Sequence, residues 1–231
     1  MITKTFLQRY ELFKDEELQI LTILDNQGFS NINYRLKTSK RSYLIRDLNS
    51  LHVDRKFEFQ VGLKAHEKGI GAKPIFLDET NLIMICEFLE GFHKIKLKRK
   101  DIQDIVALLK KLHEIKVTNK CYNLQKDYVL CHHDLNPKNF IFSHQVKLID
   151  WEYAGLNDRY FDLASIIVEF DLNKKNENTF LRSYFKNPYK IDRKKILFFK
   201  TQYLRLCIKW FTKQNKQKEK IKYMKKLTKL L

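Results

Sequence analysis

The chain has 231 residues, and its 45 lysines and arginines against 27 aspartates and glutamates give a formal net charge of +18. This length suits one large domain or two small lobes, and a composition with 44% hydrophobic residues, 6 glycines and 3 prolines excludes a disordered or fibrous chain. The positive charge favours an anionic partner, such as nucleic acid, a membrane surface or nucleotide phosphates, and does not select among them.

The first ninety residues alternate between helix and hairpin patterns. Apolar residues in segment 10–24 recur at helical spacing, which predicts a helix that ends before Gly28. A second helix is predicted over residues 54–68 and is followed by the break at Gly69. Each helix precedes a predicted hairpin, the first formed by residues 31–36 and 42–46 and the second by residues 73–77 and 82–88. This order indicates an α+β arrangement.

Helical patterns dominate beyond Glu90. An apolar stripe over residues 102–115 has the i, i+3, i+4, i+7 spacing of an amphipathic helix. Residues 129–150 differ, since an apolar approach leads into a polar loop and a tight hairpin over residues 140–149. Further helices are predicted near residues 163–170, 180–184, 193–211 and 216–231. A boundary therefore falls near Glu90.

The most informative polar segment is residues 131–139, with the sequence CHHDLNPKN, followed eleven residues later by Asp150. The spacing His-x-Asp-x-x-x-x-Asn places the Asp134 carboxylate where a substrate hydroxyl could lie. The hairpin returns the chain so that Asp150 faces the same point as Asn139. Two oxygen ligands together with nucleotide phosphates suit Mg²⁺, so this pattern predicts a site for phosphoryl transfer.

These loops resemble those of the choline/ethanolamine kinase and aminoglycoside phosphotransferase superfamily. The continuation over residues 150–164, DWEYAGLNDRYFDLA, is most similar to bacterial choline kinases. The resemblance implies a two-lobed protein-kinase-like α+β fold. Its small sheet-containing lobe (residues 1–89) would bind the nucleotide, and its mostly helical lobe (residues 90–231) would carry the catalytic and acceptor sites.

The N-terminal half carries the same resemblance. Residues 28–34, GFSNINY, resemble the family's phosphate loop, which implies that Ser30 and Asn31 approach the nucleotide phosphates. Arg46 stands where the superfamily places a basic residue on those phosphates, and an arginine offers a fork of donors there. Glu58 resembles the helix glutamate that pairs with this residue. The alternative is a solvated arginine and a solvated glutamate.

Other positions are assigned by the resemblance alone. Residues 85–89 match the hinge, where Glu87 and Leu89 would offer backbone groups to adenine. His132 resembles a structural histidine that braces the catalytic loop, which is residues 131–139 here. Asp162 is interpreted as a hydrogen-bonding brace of the same loop, in preference to the alternative interpretation as a metal ligand.

The acceptor pocket is predicted from the choline kinases. A quaternary ammonium has no N–H to donate, so aromatic faces and a carboxylate must hold it. Tyr153 and Glu169 match pocket positions by spacing, and Trp210 resembles the second residue of a Trp-x-x-Trp pair whose first position is Cys207 here. Tyr203 is a candidate for the missing wall. Trp210 could instead be buried in helix packing, and Glu169 could be a surface carboxylate.

The sequence thus predicts a kinase that uses ATP and Mg²⁺ to phosphorylate a small amino alcohol, with choline favoured. A kinase for ethanolamine, an aminoglycoside or another small alcohol is the first alternative. The second is a non-enzymatic basic protein that binds nucleic acid or anionic lipid, although no nucleic-acid partner is expected for the kinase.

The cysteines and the apolar segments bear on location. The four cysteines are widely spaced, which predicts neither a zinc cluster nor a disulfide scaffold. No segment approaches the roughly 18 to 20 apolar residues of a membrane span. A cytoplasmic protein without a transmembrane segment is therefore expected.

Overall fold

The computed structural model describes residues 2–25, 31–48, 53–117 and 127–231. The chain divides into two compact units, Met1–Gly91 and Phe92–Leu231. The first unit contains an antiparallel sheet and the second is mainly helical.

The first unit is built on a five-stranded antiparallel sheet with the strand order β1-β2-β3-β5-β4. Helix α2 begins after Asp54, whose carboxylate accepts the N–H of Phe57 at 2.9 Å and so caps the first turn. Both predicted hairpins and the second predicted helix are confirmed. The elements are α1 (Lys4–Leu7), β1 (Leu18–Ile23), β2 (Asn31–Thr38), β3 (Ser42–Leu48), α2 (Arg55–Glu67), β4 (Pro74–Asp78) and β5 (Ile83–Glu87).

The helix predicted over residues 10–24 is wrong. A short 3₁₀ turn over Glu11–Phe13 is followed by β1, an edge strand that pairs with β2. The strand buries Leu18 but leaves Ile20 and Ile23 about half exposed. Apolar residues therefore lie on both faces of this strand, and their spacing imitates a helix.

Alternation along the central strands directs side chains to two opposite faces of the sheet. Tyr43 and Ile45 of β3 join one core, together with Leu7 and Phe13 from the start of the chain. Leu48 of β3 joins a second core that also includes Met84, Cys86 and Phe59 of α2. Because successive residues of a strand alternate, Arg46 lies on the same face as Leu48, on the side of α2.

In its described residues, the second unit combines two small strand pairs with five helices. Strand β6 pairs with β9, and β7 forms a tight hairpin with β8. The predicted helices are confirmed here, whereas β9 was not predicted. The elements are α3 (Arg99–His113), β6 (Val129–Cys131), β7 (Phe140–Phe142), β8 (Val146–Leu148), β9 (Gly155–Asn157), α4 (Tyr160–Glu169), α5 (Lys174–Phe185), α6 (Arg193–Lys213) and α7 (Gln217–Leu230).

Helix α4 is the centre of the second unit, since every one of its ten residues is buried. A helix without an exposed face must be covered by other elements on all sides. Phe161 and Val168 of α4 pack with Tyr203 and Leu204 of α6 and with Tyr223 of α7. Among the described residues, no helix is both long enough and apolar enough to cross a membrane.

Candidate active site

Asp134 lies three residues after the buried strand β6 and is held by two asparagines. Asn136 Nδ2 donates to Asp134 Oδ1 at 2.9 Å, and Asn139 Nδ2 donates to Asp134 Oδ2 at 2.9 Å and to its carbonyl oxygen at 2.8 Å. The carboxylate is half-buried. These bonds fix the orientation of the carboxylate, which is what general-base catalysis would require of it.

Asp162 braces the backbone of this loop from α4. Its carboxylate accepts the N–H of His132 at 2.9 Å and the N–H of His133 at 3.1 Å, and it lies 3.2 Å from His113 Nε2. Although burial opposes ionisation, the hydrogen bond and the charge of His113 hold the pKa of Asp162 below its usual range. A fully buried anion therefore anchors the two residues that precede Asp134.

His132 is also a brace, as the sequence predicts. It is completely buried, donates from Nε2 to the carbonyl of Ile149 at 3.0 Å, and accepts the N–H of Asp134 at Nδ1. Burial lowers its pKa, which fits a neutral imidazole that donates at one nitrogen and accepts at the other.

Asp150 is brought next to the catalytic loop by the β7–β8 hairpin. The N–H of Ile149 donates to the carbonyl of Asn139 at 3.0 Å, so the residue before Asp150 is joined to Asn139. Asp150 has a φ of +69°, a left-handed conformation that turns the chain directly after this bond. The side-chain N–H groups of Asn139 donate to Asp134, so Oδ1 is the ligand atom that this side chain can offer. An amide oxygen together with a carboxylate is a donor set that suits Mg²⁺.

His133 connects the catalytic loop to the segment after Asp150. Its Nδ1 donates to the carbonyl of Tyr153 at 2.9 Å, and its Nε2 accepts from Asn157 Nδ2 at 2.9 Å. Its φ of +67° is unusual for a residue other than glycine. Sequence reasoning assigned it no role.

The first unit holds a buried cluster of charges around Glu58. Arg46 Nη1 lies 2.5 Å from Glu58 Oε1, which confirms the predicted pairing, and Arg55 Nη1 lies 2.5 Å from Oε2. Arg55 also donates to Asn31 Oδ1 at 3.3 Å. Although burial opposes ionisation, the charges of Arg46 and Arg55 hold the pKa of Glu58 low. The cluster carries two cations and one anion and is a candidate for binding phosphate.

The remaining nucleotide positions are placed as follows. Ser30 lies outside the described residues. Glu87 ends β5, and its carboxylate accepts the N–H of Lys73 at 3.2 Å. Leu89 lies in irregular backbone after β5 and is half-buried.

Glu169 and Tyr203 are brought together, and a third residue joins them. The hydroxyl of Tyr203 donates to Glu169 Oε1 at 2.9 Å, and that of Tyr223 donates to the same oxygen at 2.8 Å. Glu169 is 6% exposed, so the alternative of a surface carboxylate is wrong. Burial raises its pKa and outweighs the two tyrosine bonds.

This aromatic carboxylate cluster lies within electrostatic reach of Asp134. After burial and the charge of Glu169, the charge of Asp134 also contributes to the raised pKa of the Tyr203 hydroxyl. Cys207 packs beside Tyr203. After burial and the charge of Glu169, the charge of Asp134 also contributes to the raised pKa of the Cys207 thiol. The charge of Asp134 thus acts on two side chains of this cluster.

The other two acceptor candidates, Trp210 and Tyr153, are more exposed than Glu169 and Tyr203. Trp210 is half-buried and packs edge-on against Phe211, with ring centroids 4.9 Å apart. Tyr153 is 42% exposed and lies in the loop after Asp150.

Sequence reasoning missed Tyr223 and Arg55. Tyr223 is the one aromatic residue in the lysine-rich segment 216–231, on the same apolar side as Leu227 and Leu230, and that position was its signal. Arg55 stands three residues before Glu58, a helical spacing that brings the two side chains together.

Solved structures share this fold along nearly the whole chain. The choline kinase LicA from Streptococcus pneumoniae superposes with a TM-score of 0.78 and 18% identity, covering 98% of each chain. A choline/ethanolamine kinase family protein from Mesorhizobium loti gives 0.76 and 16%, covering 98% of this chain and 92% of that one. A spectinomycin phosphotransferase gives 0.72 and 16%, covering 95% and 93%. The fold is therefore protein-kinase-like.

Within that class, the chain belongs to the choline/ethanolamine kinase family, whose model matches residues 46–230. Protein LicA of Haemophilus influenzae is 25% identical over 236 residues, which cover 80% of this chain and 70% of the relative. A LicA homologue of Mycoplasma capricolum is 23% identical and covers 87% and 97%. The chain is thus a small-molecule kinase that uses ATP and acts on a small alcohol.

Proposed function

We propose that the chain transfers the γ-phosphoryl group of ATP to the hydroxyl of choline and forms phosphocholine. The observation that carries this choice is the buried Glu169 carboxylate, which accepts the hydroxyls of Tyr203 and Tyr223 at one oxygen in a cluster on which the charge of Asp134 acts. A quaternary ammonium is held by aromatic faces and an anion. It has no N–H group, so it does not require a hydrogen-bond acceptor in the protein. The structural neighbour from Streptococcus pneumoniae, which is named as a choline kinase, supports the same choice.

Asp134 is the proposed general base. It accepts the proton of the acceptor hydroxyl as the new oxygen–phosphorus bond forms and the bond from the γ-phosphorus to the ADP oxygen breaks. Its bonds to Asn136 and Asn139 hold the carboxylate in one orientation before the acceptor arrives. A base fixed in this way avoids a reorientation cost during the reaction.

Asn139 and Asp150 are the proposed Mg²⁺ ligands, because they supply one amide oxygen and one carboxylate from adjacent segments. The ion, when bound, would neutralise charge on the nucleotide phosphates. Arg46 would neutralise phosphate charge from the first unit, and Glu58 and Arg55 would hold its guanidinium in place. Ser30, Asn31, Glu87 and Leu89 remain proposed nucleotide contacts.

An acceptor panel tests the proposal. Phosphoryl transfer from ATP to choline, ethanolamine and an aminoglycoside is measured separately by ³¹P NMR. We expect choline to have the highest kcat/KM. A preference for ethanolamine or an aminoglycoside would contradict choline as the substrate while leaving the family's chemistry intact.

Glu169→Gln tests the acceptor site itself. The variant should raise the KM for choline about tenfold and leave the KM for ATP within about twofold, because a charge partner of the cation is removed. Glu177→Gln is the matched control, since Glu177 is equally buried but pairs with Lys200 and does not belong to the tyrosine cluster around Glu169. Equal KM values for choline in the Glu169 variant and in the parent enzyme would contradict the assignment.

A further inference from the structure

The outward face of α7 combines exposed apolar side chains with lysines. The inward face is used for packing, because Tyr223 is buried and Leu227 and Leu230 pack in the same cluster. On the opposite side, Ile221 is 42% exposed and Met224 is 46% exposed. These two residues line a shallow groove with Lys225, Thr228 and Lys229. The side of α7 that faces solvent therefore also carries apolar side chains next to charged ones.

The charge of this segment is strongly one-sided. Residues 213–231 contain eight lysines and one glutamate. Lys226 pairs with Asp171 at 2.8 Å, whereas Lys218, Lys225 and Lys229 form no ion pair with any residue in the described part of the chain. Their positive field therefore extends into solvent and attracts anions.

The lysines and the apolar residues lie side by side on the helix. Lys218, Lys225 and Lys229 are spaced by seven and four residues, so they form one row along the helix axis. Ile221 and Met224, three residues apart, lie next to this row. A row of cations beside a narrow apolar stripe is the pattern of helices that lie in the plane of a membrane interface.

We propose that the outward face of α7 binds the surface of anionic lipid membranes. Ile221 and Met224 would enter the boundary between headgroups and acyl chains, while Lys218, Lys225 and Lys229 contact lipid phosphates. The apolar pair favours a lipid surface over nucleic acid as the partner. A nucleic-acid phosphate backbone binds lysines, but it has no apolar region in which isoleucine and methionine could be buried. The inward face stays packed on the unit, so the site around Glu169 is retained in the bound state.

Vesicle flotation of the full chain tests this proposal. Vesicles of phosphatidylglycerol with phosphatidylcholine are compared with vesicles of phosphatidylcholine alone. We expect binding only to the anionic vesicles and a steady loss of binding as NaCl is raised. Equal binding to both vesicle types, or binding to neither, would overturn the proposal.

A charge-matched pair of variants separates this face from the charge of the whole chain. Lys218→Gln combined with Lys225→Gln and Lys229→Gln should lower the partition coefficient at least about tenfold. Lys174→Gln combined with Lys175→Gln and Lys190→Gln removes the same charge from exposed positions elsewhere in the second unit and should change it less than about twofold. Equal losses in the two variants would mean general charge attraction and would overturn the proposal.

The apolar pair provides an independent test. Ile221→Ser combined with Met224→Ser keeps every charge and should still weaken vesicle binding several-fold, with circular dichroism showing that the helices remain folded. A short DNA duplex is the competitor in a parallel measurement. Vesicle binding that is unchanged in this variant, or wild-type protein that binds duplex DNA but not vesicles, would overturn the lipid assignment.

Discussion

Glu169 and Glu58 are both buried, yet their surroundings shift their pKa values in opposite directions. Around Glu169, burial outweighs two tyrosine hydroxyls and raises the pKa. Around Glu58, burial is outweighed by the charges of two arginines, and the pKa is lowered. Burial is therefore the dominant influence on the pKa of the first carboxyl, whereas two paired arginines dominate for the second.

The raised pKa of Glu169 predicts a specific pH dependence of stability. The folded chain holds this proton more tightly than the unfolded chain does, so the contribution is present below the ordinary pKa of 4.5 and is lost as pH rises through the raised value. In Glu169→Gln this loss should disappear. Urea unfolding of the variant and of the parent at several pH values above 4.5 should therefore give diverging profiles, and parallel profiles would contradict the account.

Glu58→Gln provides the comparison of opposite sign for that measurement. Because the folded pKa of Glu58 is lowered, its stabilisation is present above the ordinary pKa of 4.5 and is lost as pH falls through the folded value. The free energy of unfolding of the variant should therefore fall furthest below that of the parent near neutral pH, where two buried arginines lack their anion. The difference from the parent should shrink in acid.

The backbone at His133 predicts an unusual order of stability for two variants. His133→Gly and His133→Ala lose the same two side-chain hydrogen bonds, but only alanine must keep a Cβ at a φ of +67°. The glycine variant should therefore be more stable than the alanine variant by about 1 kcal/mol. Urea unfolding of both measures the difference, and an alanine variant of equal or greater stability would show that the left-handed backbone is not retained.

At the scale of elements, α7 is attached to the end of α4 by Lys226. Its Nζ donates to the carbonyl of Val168 at 2.6 Å and lies 2.8 Å from Asp171 Oδ1. A cation at this position satisfies a carbonyl at the carboxyl end of a helix and interacts favourably with its dipole. The same contact holds Tyr223, three residues earlier on α7, against Glu169.

Lys226→Met should accordingly weaken the docking of α7. We expect a loss of about 1–2 kcal/mol in the free energy of unfolding, since a charged hydrogen bond and an ion pair are removed. Lys225→Met is the matched control on the adjacent, exposed position and should change stability by less than about 0.5 kcal/mol. A similar effect of the two substitutions in urea unfolding would contradict this role of Lys226.

The elements also show what the sequence could predict. The hairpins were readable because strand residues alternate around polar turns such as residues 37–41. Strand β1 was not, because an edge strand with exposed Ile20 and Ile23 lacks a clear alternation of two residues. Its β-branched residues Ile20, Thr22 and Ile23 were the signal that could have identified it.

Across the whole chain, the segment around Asp134 was more predictable than the cluster around Glu169. Asp134, Asn139 and Asp150 lie in one segment of 17 residues, so local spacing and one hairpin bring them together. The cluster around Glu169 draws on α4, α6 and α7, and its composition depends on how these helices pack. Tyr223 was missed for that reason.

Asp134→Asn tests whether Asp134 is the base of phosphoryl transfer to a small alcohol. Transfer from ATP to choline is measured together with the dissociation constant for the nucleotide, and Asp104→Asn serves as a control on an ion-paired surface carboxylate of α3. We predict that kcat falls about 10²–10⁴-fold in the Asp134 variant while the nucleotide dissociation constant stays within about threefold. A variant that keeps more than about a tenth of the parent turnover would contradict the assignment of Asp134 as the base.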